Sequence, residues 1–311
     1  MTFAQHLSSL WPWIIFAALV LGLLALDLGV FNRRPHAVGF REAAAWSAFW
    51  VALSLAFGVV IYWRYGADSA LQFYTSYLLE KSLSVDNIFL FAVIFSSMGV
   101  AAEYQHRVLF WGVLGALVMR GVFILAGVQL VQRFHGILYV FGVFLLFMGV
   151  RLLLHHGKKF DPARSKATRF VRGLFPISEQ YEEGRFFTRC AGRLCATPLL
   201  LVLIVVEIAD VTFAVDSIPA IFAVTQDAFI IFTSNVLAIL GLRSLYFLLA
   251  RAITRFRYLH VGLAVILIFI GARMLTAPWV HISTGVALLG ILVVLGISML
   301  VSLVAGRVSA P

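Results

Sequence analysis

Nine runs of about twenty apolar residues divide this chain, and a helix of that length spans the ~30 Å hydrocarbon core of a bilayer. The chain is 62% hydrophobic and 12% charged, whereas soluble domains are about 45–50% apolar and about 25% charged. Strands of a β-barrel would instead alternate polar and apolar residues in short segments. We therefore expect an all-α polytopic membrane protein. The nine predicted transmembrane helices are 11–31, 43–63, 70–98, 108–130, 135–154, 197–223, 228–250, 258–276 and 281–304.

Lysine and arginine residues are concentrated in four segments, and their distribution predicts the orientation of the spans. These segments are the loops that follow the first, fifth and seventh spans, and the C-terminal tail with Arg307. Cytoplasmic loops carry an excess of Lys and Arg, and the first ten residues contain neither. Nine spans with the N-terminus outside place all four segments, including the basic loop 155–196, in the cytoplasm. We therefore expect a multi-pass protein of the bacterial inner membrane, whose net charge of +10 requires no nucleic-acid partner.

Two stretches within the apolar runs share one acidic pattern. Both follow the order acid, any residue, hydroxyl, three residues, Asp, small polar residue, Ile, and they read Glu80-Lys81-Ser82-Leu83-Ser84-Val85-Asp86-Asn87-Ile88 and Asp210-Val211-Thr212-Phe213-Ala214-Val215-Asp216-Ser217-Ile218. A carboxylate at the centre of a membrane helix costs roughly 2.5–3.5 kcal/mol, so such residues are rare and usually functional. The duplication predicts a cation site built from two halves.

The duplication extends beyond these motifs. Residues 120–123 (Arg-Gly-Val-Phe) resemble 243–246 (Arg-Ser-Leu-Tyr), and residues 147–152 resemble 269–274. Spans three to five therefore match spans six to eight, and an odd number of spans requires the second copy to have the opposite orientation. Such an inverted repeat is typical of secondary transporters, whose sites lie at the repeat interface. The predicted organisation is two N-terminal helices, a first repeat, a cytoplasmic loop, a second repeat and a C-terminal helix with its tail: 1–65, 66–154, 155–196, 197–276 and 277–311.

Within this site we expect Asp86 and Asp216 to be the primary metal ligands. Residues six apart on a continuous helix lie roughly 240° around the axis, so Glu80 and Asp86 cannot hold one ion from an unbroken helix. Glu80 and Asp210 would complete the site or carry protons. Four other side chains are expected to contribute: the auxiliary oxygen donors are Asn87 and Ser217, and the secondary candidates are Glu207 and Asn235. Pro219 frees the carbonyl of Val215, and freed carbonyls are common at transporter ion sites.

A charge count predicts the sign of the cargo. Six acids lie within the spans: Asp27, Glu80, Asp86, Glu207, Asp210 and Asp216. Three basic residues at depth would balance their charge: Lys81, Arg120 and Arg243. The surplus of negative charge favours a bound cation. Carboxylate, amide and hydroxyl oxygens suit Mg²⁺, Ca²⁺ or Mn²⁺, and carboxylates that lose a metal ion can take up protons.

Each of these residues also has a structural interpretation. The acids could form ion pairs with Lys81, Arg120 and Arg243, and Asn87 and Ser217 could form hydrogen bonds between helices. Asp27 lies outside the repeat, where a helix-end role is the alternative. We expect no enzyme activity and no bound cofactor, because the sequence has no G-x-S-x-G, H-E-x-x-H or Gly-rich phosphate loop. The sequence leaves open whether the protein forms homo-oligomers and whether the loop 155–196 is regulatory.

The motif that begins at Glu80, together with residues 213–224, resembles the signatures of the TerC family of integral membrane proteins. Residues 234–235 and 238–243 extend the match, which covers essentially the whole chain and is similar to the Alx-type members. The resemblance implies Mn²⁺ export, because the family lies near the LysE-type exporters and its Alx-like members are associated with manganese efflux. Ca²⁺ is the alternative ion. Other members are named for tellurium resistance or redox modulation, which leaves two rival functions: a membrane scaffold in a stress-response complex and a membrane redox enzyme.

Overall fold

The computed structural model describes residues 3–26, 39–134, 136–154, 168–169, 173, 177–178, 184–190, 193–249, 259–280 and 282–308. The chain divides into two units, Met1–Ala37 and Val38–Pro311. The first unit contains helix α1 (Phe3–Leu26), which includes Pro12. Asp27, which the sequence placed near the end of the first span, lies outside the described residues.

The second unit is built almost entirely of helices. Its helices are α2 (Phe40–Tyr65), α3 (Ala67–Ser97), α4 (Ala102–Arg133), α5 (Ile137–Leu154), α6 (Pro198–Phe222), α7 (Ala228–Leu240), α8 (Leu242–Leu249), α9 (Leu259–Thr276) and α10 (Thr284–Val308). Gly66 joins α2 to α3 with a φ of 90°, which a residue without a Cβ adopts readily. Asp227 begins α7 by accepting hydrogen bonds from the backbone N–H groups of Phe229 and Ile230, at 2.8 and 3.1 Å, as an N-cap does.

Among the described residues, six helices are long and apolar enough to cross a membrane, namely α2, α4, α5, α6, α9 and α10. Helices α7 and α8 are bent by 41° and would together form a seventh span. Helix α3 has 31 residues but carries Glu80, Lys81 and Asp86 near its middle, and the apolar part of α1 covers only Leu10–Ala25 in the described chain. The polytopic helical class is therefore confirmed, while the count of nine spans stays a prediction.

Helices α5 and α9 pack together through glycines. A Cβ at Gly149 would lie 2.9 Å from the carbonyl oxygen of Ala264, and a Cβ at Gly271 would lie 2.8 Å from the carbonyl oxygen of Gly142. Only glycine allows the two backbones to approach this closely. Contacts between small residues are characteristic of membrane helices, because lipid supplies no hydrophobic driving force for helix association. The crossing joins the last helix of the first predicted repeat to the last helix of the second.

The centre of the bundle is formed by α3, α4, α6 and α7. Helix α3 packs against α6 and α7, and α4 packs against the same two helices. Apolar residues at these contacts are almost completely buried, including Leu79 on α3, Ile124 on α4 and Ile221 on α6. The two acidic motifs lie on α3 and α6, so this packing brings the helices that carry them into direct contact.

The described part of the basic loop contains a small hairpin that the all-α prediction missed. Strand β1 (Phe187–Cys190) pairs antiparallel with β2 (Arg193–Ala196), and the hairpin leads directly into α6. Thr197 fixes this junction, because its hydroxyl donates to the carbonyl of Arg185 at 2.6 Å and its N–H donates to the carbonyl of Phe186 at 3.0 Å. The strand pairing could not be read from charge alone. Lys158, Lys159 and most of the remaining loop lie outside the described residues.

Candidate functional site

A buried arginine joins the two acidic motifs. Arg120 on α4 is 2% exposed, Glu80 on α3 is 1% exposed and Asp210 on α6 is 4% exposed. Nη1 of Arg120 donates to Oε1 of Glu80, while Nε and Nη2 donate to Oδ2 and Oδ1 of Asp210 at 3.3 and 3.2 Å. A guanidinium that holds both oxygens of a carboxylate fixes its orientation as well as its charge. We refer to Arg120, Glu80 and Asp210 as the triad. Its one positive charge faces two negative charges, which leaves a surplus of one negative charge.

Helix packing brings the first acids of the two motifs to the same arginine. Glu80 and Asp210 occupy corresponding positions in the two repeats of the pattern, and both face the central contact between α3, α4 and α6. The hydroxyls that follow them bond within their own helices: Ser82 donates to the carbonyl of Leu78 at 2.6 Å and Thr212 to that of Ile208 at 3.0 Å. Side chains bonded in this way satisfy the carbonyl of the preceding turn. Glu80 and Asp210 therefore belong to the triad, whereas the hydroxyls of Ser82 and Thr212 do not.

The second acids of the motifs, Asp86 and Asp216, do not join the triad. Helix α3 is continuous from Ala67 to Ser97, so Asp86 faces away from Glu80. Asp86 and Asp216 are half-buried, and Arg151 at the end of α5 attracts Asp216 electrostatically. Within the described ranges, no group of three or more His, Cys, Asp or Glu side chains is close enough to hold a metal ion.

Several side chains selected from the sequence bury polar atoms that have no hydrogen-bond partner among the described residues. These atoms are Oε2 of Glu80, Oδ1 of Asn87, Oγ of Ser217, and both Oδ1 and Nδ2 of Asn235. Ser76 on α3 also has such an atom. An unsatisfied buried polar group costs about 1–3 kcal/mol. Asn235 is 0% exposed, and neither its Oδ1 nor its Nδ2 has a partner. Helix α3 and the helices α6 and α7 that pack against it thus bury polar groups suited to a polar or charged ligand.

Glu207 lies one turn before Asp210 on α6, and the charge of Asp210 repels it. Two glycines of α4 accommodate its side chain. A Cβ at Gly115 would overlap the carboxylate of Glu207, and a Cβ at Gly112 would lie 4.0 Å from its Oε1. The secondary candidate from the sequence is thus held against α4 beside the triad, and the two glycines are part of its environment.

Lys81 contacts the end of a helix. Its Nζ donates to the carbonyl of Ala238 on α7 at 3.2 Å, although the sequence predicted that it balances a carboxylate. Gly241 separates α7 from α8, and Arg243, the other predicted charge-balancing residue, lies in the first turn of α8. The interrupted helix of this fold is therefore the predicted seventh span.

The proline that follows the second motif does not interrupt its helix. Helix α6 continues through Pro219 to Phe222, and the sequence predicted only that this proline frees the carbonyl of Val215. A proline in a helix removes one donor and need not end the helix where neighbouring membrane helices support it. The break at Gly241 was not predicted from the sequence, because a glycine inside an apolar run marks a break as readily as a close helix contact.

The sequence comparisons agree with this architecture. Residues 65–310 match the Integral membrane protein TerC family. The chain belongs to this family. It is 51% identical over 295 residues to "Uncharacterized membrane protein STKORF319" of Myxococcus xanthus, with 95% of this chain and 92% of the relative covered. It is 50% identical over 285 residues to "Putative membrane-bound redox modulator Alx" of Escherichia coli K12, with 89% of each chain covered. No solved structure matches the chain.

Proposed function

We propose that this TerC-family chain exports Mn²⁺ across the bacterial inner membrane in exchange for protons. The observation that carries the proposal is the set of unsatisfied buried polar atoms on Glu80, Asn87, Ser217 and Asn235. A cation would give the oxygens among them a partner. The same side chains belong to the duplicated acidic pattern and its neighbouring helix, which links the observation to the sequence.

The donor atoms favour a hard divalent cation. Carboxylate, amide and hydroxyl oxygens are the ligands that Ca²⁺, Mg²⁺ and Mn²⁺ prefer. The triad itself is negative, since Arg120 offsets only one of the charges on Glu80 and Asp210. Asp86 and Asp216, half-buried on the same two helices, supply the further carboxylates that we assign to the cation path. A divalent ion is therefore attracted to a region where an anion would be repelled.

Proton exchange follows from the same acids. When the metal ion leaves, the uncompensated carboxylates are costly in a membrane interior, and proton uptake removes that cost. Arg120 cannot share this role, because a guanidinium stays protonated in proteins. We therefore assign the protons to the carboxylates and assign Arg120 to orienting Glu80 and Asp210.

The helix contacts support an inverted repeat and an alternating site. The repeat pairs α3 with α6, α4 with α7 and α8, and α5 with α9. Under this pairing the contact between α3 and α7 corresponds to the contact between α6 and α4, and both contacts are extensive. In transporters with inverted repeats the two halves move against each other around a site near the midplane. We propose that this motion brings the Asp86 and Asp216 halves together, with the N-terminus outside and the C-terminus in the cytoplasm.

Manganese is specified by the family resemblance, and the oxygen ligands would also accept Ca²⁺. The test is the metal content of manganese-stressed cells with and without the chain, measured by elemental analysis. We expect expression to lower cellular manganese and leave calcium unchanged. Equal manganese in the two cultures, with the protein present in the membrane, would contradict export.

The rival function is a membrane scaffold or a redox component, and the name of the Escherichia coli relative, a putative membrane-bound redox modulator, favours the redox component. A scaffold would depend on the basic loop, whereas a transporter depends on the buried acids. Replacing Lys158, Lys159, Arg164 and Arg169 by Gln should therefore leave manganese efflux largely intact. Loss of efflux at normal protein abundance would favour docking or gating by the loop. A redox enzyme would carry a chromophore, so an absorption spectrum of the purified protein tests that function.

A further inference from the structure

A cavity of about 640 Å³ lies at one end of the bundle, among the connection from α4 to α5, the end of α6 and the connection from α9 to α10. Binding cavities for small molecules commonly measure about 300–1,000 Å³. Most of the lining is apolar, and it includes Leu138, Phe222, Met274 and Val280. Among the described residues of the lining, Arg273 alone carries a full charge. The cavity is therefore suited to a ligand that combines an apolar part with a negative charge.

The guanidinium of Arg273 is held in place by neutral groups. Arg273 is half-buried in the last turn of α9. Its Nη1 donates to the carbonyl of Ala223 at 3.4 Å, and its Nη2 donates to the carbonyl of Ile282 at 3.0 Å. A guanidinium has more N–H donors than these two bonds use. Within the part of the chain that the structure describes, no carboxylate pairs with Arg273, and a charge withdrawn from water is costly without such a partner.

The corresponding arginine of the first repeat does have an acidic neighbour. The match between residues 147–152 and 269–274 makes Arg151 the counterpart of Arg273. Arg151 attracts Asp216 electrostatically. The same position of the repeated segment is thus balanced by an acid of the protein in one copy, whereas the other copy faces a cavity. Arg273 is therefore available to an anion that comes from outside the described chain.

The surroundings of the cavity are those of a membrane surface. Tyr139 in the lining and Trp279, which lies between the lining residues Pro278 and Val280, are exposed. Tyr and Trp are enriched where membrane helices reach the lipid headgroups. The three connections around the cavity follow the fourth, sixth and eighth predicted spans, so the predicted orientation places all of them on the external side. A phospholipid presents its phosphate at this depth and its acyl chains towards the apolar lining.

We propose that this cavity binds the headgroup of an anionic phospholipid. Arg273 donates to the phosphate through the N–H groups that the two carbonyls leave unused, and the apolar lining contacts the glycerol and the first acyl carbons. The described lining offers no carboxylate to the ammonium of a zwitterionic headgroup, so phosphatidylglycerol binds more tightly than phosphatidylcholine. The bound lipid links the end of α6 to the connection between α9 and α10. A metal cation is repelled by Arg273, which separates this site from the proposed cation path.

Native mass spectrometry of the delipidated full-length chain in detergent tests the proposal. Phosphatidylglycerol and phosphatidylcholine are titrated separately, and inorganic phosphate is added as a competitor. The measurements are made at a pH of about 8, where an ordinary imidazole is neutral, because His135 and His281 flank lining residues in sequence and lie outside the described residues. We expect the parent to bind one phosphatidylglycerol about tenfold more tightly than phosphatidylcholine, and millimolar phosphate should not displace it.

Two variants and one control assign the binding to the cavity. Arg273→Gln should weaken the binding of phosphatidylglycerol about tenfold, because hydrogen bonds between charged groups are the strong ones. Ala277→Trp should weaken it similarly, since Ala277 is an exposed residue of the lining and a large ring there fills the space without changing Arg273. Arg133→Gln is the control, because Arg133 is exposed at the end of α4 and outside the lining. Its affinity should stay within about twofold of the parent's.

Thermal unfolding without added lipid shows whether each variant is folded. Equal affinity of the parent for the two lipids overturns the proposal, and displacement by millimolar phosphate shows a site for free phosphate instead of lipid. Unchanged binding by folded Arg273→Gln or by folded Ala277→Trp also overturns it. A loss in Arg133→Gln as large as that in Arg273→Gln shows general attraction between the lipid and a basic surface. If Arg273→Gln does not fold, Ala277→Trp and the two titrations of the parent decide.

Discussion

Arg120 and Asp210, which are 90 positions apart in sequence, form two hydrogen bonds. Nε and Nη2 on one edge of the guanidinium donate to both oxygens of the carboxylate, at 3.3 and 3.2 Å. The third contact of Arg120, to Glu80, makes it the link between the two acidic motifs. A buried charge is tolerated only where it is paired. The arginine thus makes it possible for both acids to lie inside the bundle.

Arg120→Gln should strongly destabilise the protein. Removal of one partner from a buried ion pair leaves uncompensated charge and costs about 3–5 kcal/mol, and here two carboxylates lose their partner. Thermal unfolding of the detergent-purified protein measures the effect. Arg133→Gln is the matched control, since Arg133 lies exposed in the last turn of the same helix and should change stability by less than about 0.5 kcal/mol. Equal melting temperatures for the two variants would show that the triad is not important for stability.

Gly115→Ala should disturb Glu207 and the region beside the triad. The added Cβ would overlap the carboxylate of Glu207, and overpacking of this kind typically costs about 1–3 kcal/mol. Gly121→Ala on the same helix is the control, because its Cβ would lie 3.4 Å from a ring carbon of Phe232, an ordinary contact. We expect lower thermal stability and weaker manganese efflux only for Gly115→Ala. If the two variants have the same thermal stability and the same manganese efflux, Glu207 moves aside without cost.

The sequence predicts the helices well because apolar runs directly report burial in a bilayer. Each of the nine predicted spans overlaps a described helix or the α7–α8 pair, with ends that differ by a few residues except at α1 and at the start of α4, which begins at Ala102 instead of 108. Interruptions were harder to predict. Pro219 is the stronger breaker by residue type, yet α6 continues through it, and Gly241 ends α7. Neighbouring helices decide which break occurs, and a single sequence does not report those neighbours.

The sequence selected residues, whereas their pairings depend on tertiary packing. The duplicated pattern selected Glu80 and Asp210, and a charge count selected Arg120 together with Lys81 and Arg243 as balancing bases. The sequence made Asp86 and Asp216 the primary metal ligands, whereas packing of continuous helices directs them away from the triad. Lys81 was expected to face a carboxylate, and its actual partner is a carbonyl that only the break at Gly241 places within reach. Contacts between distant helices, such as Lys81 with α7, depend on tertiary packing.

The predicted orientation is tested by reporter fusions. Fusions within the loop 155–196 and at the C-terminus should both report the cytoplasm, because each follows an odd number of spans from an external N-terminus and each is basic. A fusion at Gly66, between α2 and α3, is the control and should report the outside. Opposite sides for the loop and the C-terminus would contradict the inverted repeat.

Asp86→Asn and Asp216→Asn should each abolish manganese efflux while leaving the fold intact. Each change removes one negative charge and keeps the shape, and affinity for a hard cation follows the number of charged ligands. Neither residue belongs to the triad, so stability should change little. Asn87→Ala and Ser217→Ala should cause milder losses because water can replace a neutral donor, and Asp27→Asn should be milder still.

The measurement for these acids is cellular manganese by elemental analysis under manganese stress, with membrane abundance checked by blotting. Asp68→Asn is the matched control, because Asp68 is an exposed acid in the first turn of α3 and the substitution is chemically the same. Its efflux should equal that of the parent. If Asp86→Asn and Asp216→Asn also export as well as the parent, the acids of the motifs are structural, and the cation path must lie elsewhere in the protein.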